Sequence, residues 1–421
     1  MEQERLIFHI DVNSAFLSWE SVYRLSKDSQ ALDLRTIPAA VGGDQSSRHG
    51  IVLAKSTSAK QFGVTTGEPL VQALRKCPEL TIVPSRFDIY LDYSAKMFQL
   101  LSEYTPDIEK FSIDEAFLDM TQTIHLFGEP LEVAEQIRQR VRQELGFTVN
   151  IGIAPNKILA KMASDFEKPD LTHTLARDEI AAKMWPLPLR ELFFVGRSAQ
   201  KKMENIGLHT IGDIARCDPG ILKAHLGDKY SRQIHQYANG IDDDPVAPRE
   251  PVTKGYGNSI TLSQDIADFD TARQVLLAIA ETVGSRLRAR QVTCNNVCIE
   301  LKDWNFKSQS HQMTLPAPTD STAVIYESAC RLIQECWDLT PVRLLGIRAT
   351  KISEETYDQI GLFEDERTVR MKELEKAIDK IRGKYGIDSV KRASFLQDNT
   401  LTDHAVSKRK HLKKTSEEEE S

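Results

Sequence analysis

Asp11 and the adjacent pair Asp114 and Glu115 are the residues of this chain best suited to do chemistry. Asp11 lies near the end of Leu6-Ile7-Phe8-His9-Ile10-Asp11-Val12, an apolar, β-branched stretch that reads as a strand. Asp114 and Glu115 interrupt a second such segment, Phe111-Ser112-Ile113-Asp114-Glu115-Ala116-Phe117-Leu118-Asp119. Successive side chains of a strand point to opposite faces, so adjacent acids share a site only at a bend or hairpin tip. If the two segments are neighbours in one sheet, the three carboxylates converge. Converging carboxylates repel and raise each other's pKa unless a cation neutralises them. Hard oxygen ligands of this kind suit Mg²⁺, which completes its shell with water and substrate phosphate. Two such ions about 4 Å apart would activate an attacking oxygen and stabilise the leaving one. The chemistry indicated is metal-dependent phosphoryl or nucleotidyl transfer. Taken by themselves, the same acids also fit solvated loop charge.

The elements that must position these acids belong to a long chain. Its 421 residues predict two to four compact units, and 41% hydrophobic with 27% charged residues is the composition of a globular protein. No apolar run has the length of a membrane span, and the N-terminus lacks the layout of a signal peptide, so a cytoplasmic location is expected. Six cysteines are scattered; Cys294 and Cys298 look like half a metal site, but no second half follows, and buried reduced thiols are expected. The net charge of −7 argues mildly against nucleic-acid binding. Glu417 to Glu420 supply four of those charges, however, and what counts is a local basic face.

Residues 39–80 read as strands and turns followed by a short helix near 68–75. Tyr90, Tyr93, Met97, Leu100 and Leu101 predict an amphipathic helix over 88–104. A helix over 129–145 and a strand over 148–154 follow, with another helix opening near Asn156. The order is that of a ferredoxin-like βαββαβ sheet with residues 39–80 inserted, an arrangement that sets the first and third strands side by side. Residues 187–216 read as short helices parted by Gly196, Gly207 and Gly212; they fit plain helical hairpins or a backbone surface for phosphate. The proline-rich stretch 241–251 predicts an extended linker. A second βαββαβ pattern follows, with strands near 253–262, 295–302, 308–315 and 342–351 and helices near 268–290 and 319–337. Arg286, Arg288 and Arg290 fit either a solvated helix end or a DNA-backbone surface. Beyond 354 the chain is charged, with a helix near 367–384 and a disordered end.

Four ordered motifs run through residues 4–351: His9-Ile10-Asp11-Val12-Asn13-Ser14-Ala15-Phe16; Lys55-Ser56-Thr57-Ser58-Ala59-Lys60-Gln61-Phe62-Gly63-Val64; Ser112-Ile113-Asp114-Glu115-Ala116-Phe117-Leu118-Asp119; and Gly152-Ile153-Ala154-Pro155-Asn156-Lys157 through Ala160-Lys161 to Lys168-Pro169. Together they resemble the Y-family DNA polymerases, in the bacterial polymerase IV (DinB) branch. The resemblance implies an α+β, multidomain right hand. Its parts would be a ferredoxin-like palm at 1–22 and 82–168, small fingers at 23–81, a helical thumb at 169–240, a linker at 241–251, a βαββαβ little finger at 252–352 and a C-terminal tail at 353–421. It implies template-directed, low-fidelity translesion synthesis without proofreading, on primed template DNA and deoxynucleoside triphosphates, by a monomer that needs no membrane.

What the resemblance implies residue by residue is equally specific. Asp11, Asp114 and Glu115 would be catalytic and, with the Val12 carbonyl, would hold two Mg²⁺ ions per active site. Phe16 would be the steric gate against a 2′-hydroxyl; periodicity alone makes it a core aromatic. Ala15, Phe16, Thr57, Lys60 and Lys168 would meet the nucleotide. Thr57 and Lys60 stand where the family commonly has Tyr and Arg, Asp170 where it often has Asn-Gly, and Asn13 where a second acid is frequent. Gln359, Leu362 and Phe363 resemble a peptide that binds the sliding clamp, or would pack on the little finger. Two rival classes are a nucleotide cyclase on the same palm topology and a non-catalytic, clamp-bound DNA-binding homologue. Gly42-Gly43-Asp44-Gln45 lacks the Glu that a cyclase signature requires.

Overall fold

The alternation of residues 7–12 makes β1 (Ile7–Val12) the central strand of a five-stranded sheet in the computed structural model, which describes residues 4–43, 50–247, 253–354, 366–386 and 389–393. The chain divides into two compact units, Met1–Gly43 with Ile51–Glu250 and, after it, Pro251–Ser421.

In the first unit β1 leads through α1 (Ala15–Lys27) to β2 (Ala39–Gly42), β3 (Val52–Lys55), α2 (Thr57–Gln61), α3 (Leu70–Lys76) and β4 (Thr81–Pro84). These three strands form their own sheet, β3-β2-β4, over a small core that includes Ala40, Val52 and Leu70. The chain returns through α4 (Phe87–Leu101), β5 (Ile108–Lys110), β6 (Glu115–Asp119), α5 (Pro130–Arg140), β7 (Val149–Ala154), α6 (Lys157–Ser164) and β8 (Thr172–Thr174). The large sheet runs β5-β6-β1-β7-β8. The first and third strands of the βαββαβ frame, β1 and β6, are therefore neighbours, as expected, and β8 adds a parallel edge beside β7. The helix expected over 129–145 is not uniform. Its last turn, Val141–Leu145, widens to a π-helix, and Gly146 ends it at a φ of 79°.

The two faces of β1 go to different cores. Phe8, Ile10 and Val12 pack with Trp19, Tyr90, Met97 and Ile137, whereas Ile7 packs with Phe117, Ile158 and Leu159 of α6. Burying each such side chain contributes about 1.5–3 kcal/mol. A one-residue slip would exchange the faces, so the register is fixed, and His9 and Asp11 share the face of Ile7. Gly152 stands opposite His9, and a Cβ there would collide with the Ala160 carbonyl and the Ser164 amide. Only glycine lets α6 lie this close to the sheet.

Four further helices complete the unit: α7 (Arg197–Glu204), α8 (Ile211–Arg216), α9 (Pro219–Leu226) and α10 (Asp228–Ala238). A capping box starts α8: the Asp213 amide donates to Thr210 Oγ1 and the Thr210 amide to the Asp213 carboxylate. Residues 241–247 belong to no helix or strand and are fastened to this unit. The Ile158 amide donates to Asp242 Oδ2 at 3.1 Å, and the Arg5 guanidinium donates to the carbonyls of Asp242 and Asp244.

The second unit runs β9 (Gly255–Ile266), α11 (Phe269–Ala289), β10 (Thr293–Asp303), β11 (Ser308–Thr319), α12 (Thr322–Cys336), β12 (Val342–Ser353) and α13 (Glu366–Tyr385). Its antiparallel sheet has the order β11-β10-β12-β9, so the element order repeats the first unit but the strand order does not. Of the three arginines at the end of α11, Arg286 and Arg288 are half-buried and bonded within the unit, whereas Arg290 is exposed. Arg288 pairs with Glu375 at 3.0 Å and Asp379 at 2.6 Å of α13, and Arg286 donates to the Gly257 carbonyl at 2.8 Å. All six cysteines are free thiols, and burial pushes Cys294 up to about 11. Among the described residues no helix is long and apolar enough to cross a membrane.

Candidate active site

Register brings the acids together. Asp11 of β1 is paired with Glu115, the first residue of β6. Asp114 precedes it at the tip of the β5–β6 hairpin, where the Phe111 and Ser112 amides both donate to the Glu115 carbonyl. The Val12 amide donates to the Asp114 carbonyl at 3.1 Å, and Ser94 Oγ donates to the Ile113 carbonyl, which fixes the tip against α4. Ser112 Oγ donates to Asp114 Oδ1 at 2.6 Å. Adjacent acids can thus share one site because the strand begins between them.

Two lysines cover the acids. Lys161, on the face of α6 that Gly152 draws in, places Nζ 2.7 Å from Glu115 and 3.6 Å from Asp11. Lys168, four residues past the end of α6, places Nζ 2.6 Å from Asp11. Burial alone would lower both lysine pKa values, yet Asp11 and Asp165, joined for Lys161 by Glu115, raise them. Burial raises the Glu115 carboxyl, Lys161 opposes that only in part, and Asp11 and Asp114 add to it. Behind Asp11, burial and then the charges of Lys161 and Lys168 hold the His9 imidazole well below its ordinary pKa. Its Nδ1 lies 2.7 Å from Ser164 Oγ.

A cleft of about 520 Å³ opens beside Asp11 and Asp114, and Val12, Asn13, Ala15, Phe16, Thr57, Lys60 and Lys168 all line it. Phe16, in the first turn of α1, stacks on Tyr90 with ring centroids 4.8 Å apart and meets Phe87 edge-on at 5.4 Å. It is both a packed aromatic and part of the cleft wall. Thr57 and Lys60 sit on α2, which Ser56 caps by accepting from the Ala59 amide. Lys55 also lines the cleft; burial lowers its pKa and Lys60 adds to the effect. A second hollow, of about 480 Å³, lies on the sheet of the other unit over Gly257, Cys298 and Arg348, and none of the converging acids lines it.

The sequence-expected residues of the palm and fingers therefore meet in one place. Gln359, Leu362 and Phe363 lie outside the described residues. Sequence reasoning gave no role to Lys161, Asp165, Asn150 or Arg138. Asp165 joins the cluster, 2.8 Å from Lys168 and 3.4 Å from Lys161. Asp170 takes up a φ of 60°, a conformation that Asn and Gly adopt easily and Asp tolerates, and it is held there by Arg138 and Arg142. The i,i+4 spacing of Lys161 and Asp165 was the readable signal.

The donor set fits a hard cation. Carboxylate oxygens of Asp11 and Glu115 already hold ammonium charge within 2.7 Å, which shows where positive charge is stable. Among the described residues no three acidic, histidine or cysteine side chains are grouped as metal ligands as they stand. The lysines occupy the oxygens instead.

Known proteins resemble this chain over most of its length. The impB/mucB/samB family pattern matches residues 10–165, its C-terminal domain 253–362, and a pattern described as DNA polymerase-iota, thumb domain, 191–242. The DNA polymerase IV of Clostridium acetobutylicum is 42% identical over 93% of this chain and 98% of its own length. That of Acetivibrio thermocellus is 36% identical over 94% and 99%, and DNA polymerase IV 1 of Bacillus subtilis 37% over 94% and 94%. A solved Y-family DNA polymerase chimera of Dbh and Dpo4 shares the fold, with a TM-score of 0.70 over 82% of this chain and 99% of that one, at 23% identity.

Proposed function

This chain belongs to the Y-family DNA polymerases, in the polymerase IV branch, and on that premise we propose that it performs low-fidelity, template-directed translesion synthesis at the Asp11–Asp114–Glu115 site. The observation that carries the proposal is the pairing of Asp11 with Glu115, with Asp114 at the adjoining hairpin tip, beside a cleft walled by Lys55, Lys60 and Lys168.

Asp11, Asp114 and Glu115, with the Val12 carbonyl, would hold the divalent ions, two Mg²⁺ in this reading. When bound, the ions would lower the pKa of the primer 3′-hydroxyl and neutralise charge on the phosphates. The protein's own part is positioning. Lys168, Lys60 and the Thr57 hydroxyl line the cleft and would hold a triphosphate along it. A single ammonium at Lys60 gives a point charge where Arg would give a fork. Phe16, braced by Tyr90 and Phe87, would lie against the sugar and exclude a 2′-hydroxyl. The small sheet of β2, β3 and β4 would form the fingers, α7–α10 the thumb, and the second unit a little finger on DNA. Fingers this small support loose checking of the nascent pair, and we place no proofreading activity on the chain. We assign Gln359, Leu362 and Phe363 to a sliding clamp and the protein to the cytoplasm as a monomer.

The test is incubation of the purified protein with primed template, Mg²⁺ and single deoxynucleoside triphosphates. Extension dictated by the template is expected. A cyclic dinucleotide product would favour a cyclase, and DNA binding without extension a non-catalytic homologue.

A further inference from the structure

Nucleotide binding does not account for Lys161. Its side chain is only 8% exposed, and its ammonium reaches three carboxylates, Glu115 at 2.7 Å, Asp165 at 3.4 Å and Asp11 at 3.6 Å. Lys168 spans Asp11 at 2.6 Å and Asp165 at 2.8 Å. Asp165 thus presents one oxygen to each lysine, Oδ2 to Lys161 and Oδ1 to Lys168. A divalent ion on Asp11 and Glu115 needs the lone pairs that the ammonium groups now use. Two displaced ammonium charges beside it would oppose its binding unless an anion received them. Asp165 is built for that. The backbone around it is anchored independently of the lysines: the Asn150 amide donates to the carbonyls of Ser164 and Glu167, and Arg138 and Arg142 hold Asp170.

We propose that Asp165 is the receiving anion of a cation exchange, in which the ammonium groups of Lys161 and Lys168 stand in for metal on Asp11 and Glu115 and withdraw onto Asp165 when divalent ions take those oxygens. The proposal rests on the reading of Asp11 and Glu115 as metal ligands. Asp165 is not among the residues that line the cleft and acts through the two lysines, so it is a positioning residue. The arrangement neutralises the acids in one state and offsets one of the two displaced lysine charges in the other. No covalent bond changes, and both lysines remain charged throughout.

The test is Mn²⁺ binding by the full-length protein without DNA or nucleotide, read from the EPR signal of free Mn²⁺. Asp165→Asn is expected to weaken binding about tenfold, within the usual range of coupling between neighbouring charges. Asp165→Glu, which restores the anion, is expected to stay within about threefold of wild type. In a Lys161→Met background the effect of Asp165→Asn should shrink, because one displaced cation is gone. Unchanged affinity in Asp165→Asn would overturn the exchange, as would an equal loss in both backgrounds, which would make Asp165 a remote charge only. If Asp165→Asn does not fold, Lys161→Met alone decides: it should bind Mn²⁺ more tightly than wild type, and failure to do so overturns the proposal. Asp11→Asn separates the two levels. If it leaves Mn²⁺ binding intact, the metal reading of Asp11 fails; if it abolishes binding while Asp165→Asn has no effect, only the exchange fails.

Discussion

Asn150 stands directly across from Asp11 in the pairing of β7 with β1, and its amide ties down the loop that carries Lys168. Its Nδ2 donates to the carbonyls of Ser164 and Glu167, and its Oδ1 accepts from the Leu171 amide. One fully buried side chain beside a candidate ligand therefore sets where the neighbouring ammonium stands. Asn150→Ala removes three hydrogen bonds and strands buried backbone groups. Denaturant unfolding should show a loss of about 2–3 kcal/mol. Steady-state kinetics should show KM for the incoming nucleotide rising more than kcat falls.

Asp114→Asn and Glu115→Gln keep the shape of the hairpin tip and remove its charge. Each is expected to slow single-turnover primer extension at least about 10²-fold. Fluorescence anisotropy should find DNA affinity nearly unchanged. Normal turnover by either variant would refute the assignment of the acids.

Phe16→Ala opens the cleft wall without touching the acids. Discrimination between deoxyribo- and ribonucleotides, measured as the ratio of kcat/KM values, should fall by roughly 10²-fold. Unchanged selectivity would leave Phe16 with a packing role alone.

Tyr90, beneath Phe16, provides a pH test. Its hydroxyl is buried without a hydrogen-bond partner of normal geometry among the described residues, and burial pushes its pKa up to about 12. The unfolded phenol ionises near pH 10, so the fold favours the neutral form. That contribution is complete below about pH 10 and disappears as pH climbs through about 12. Tyr90→Phe should flatten the alkaline fall of the urea midpoint and leave stability at neutral pH equal or up to about 1 kcal/mol higher. Because the ring stays stacked under Phe16, sugar selectivity should not change.

Leu362→Ala with Phe363→Ala is expected to abolish stimulation by a sliding clamp while leaving clamp-free extension intact. The length of products made in one binding event, measured with and without clamp, is the readout. Tethering raises the local concentration of polymerase at the primer without new contacts at the catalytic site.

Strand period, helix spacing and motif order made much of this protein legible in the sequence. The run from Ile7 to Val12 has the β-branched, apolar pattern of a strand, and the βαββαβ order leaves few ways to arrange it. The convergence of Asp11 with Asp114 and Glu115 followed from that topology. What the sequence could not show was which charges meet. In the sequence Lys161 is part of a motif without a role of its own, and Arg288 is one of three arginines at a helix end. Their partners come from elsewhere in the chain: Glu115 and Asp11 for Lys161, Glu375 and Asp379 for Arg288. Local conformation is encoded in residues a few positions apart. Ion pairs between distant segments depend instead on how closely elements pack, here on an α6 that can approach β7 because Gly152 has no side chain. That approach exists only in the tertiary structure, and it turns three acids into a site already bearing positive charge.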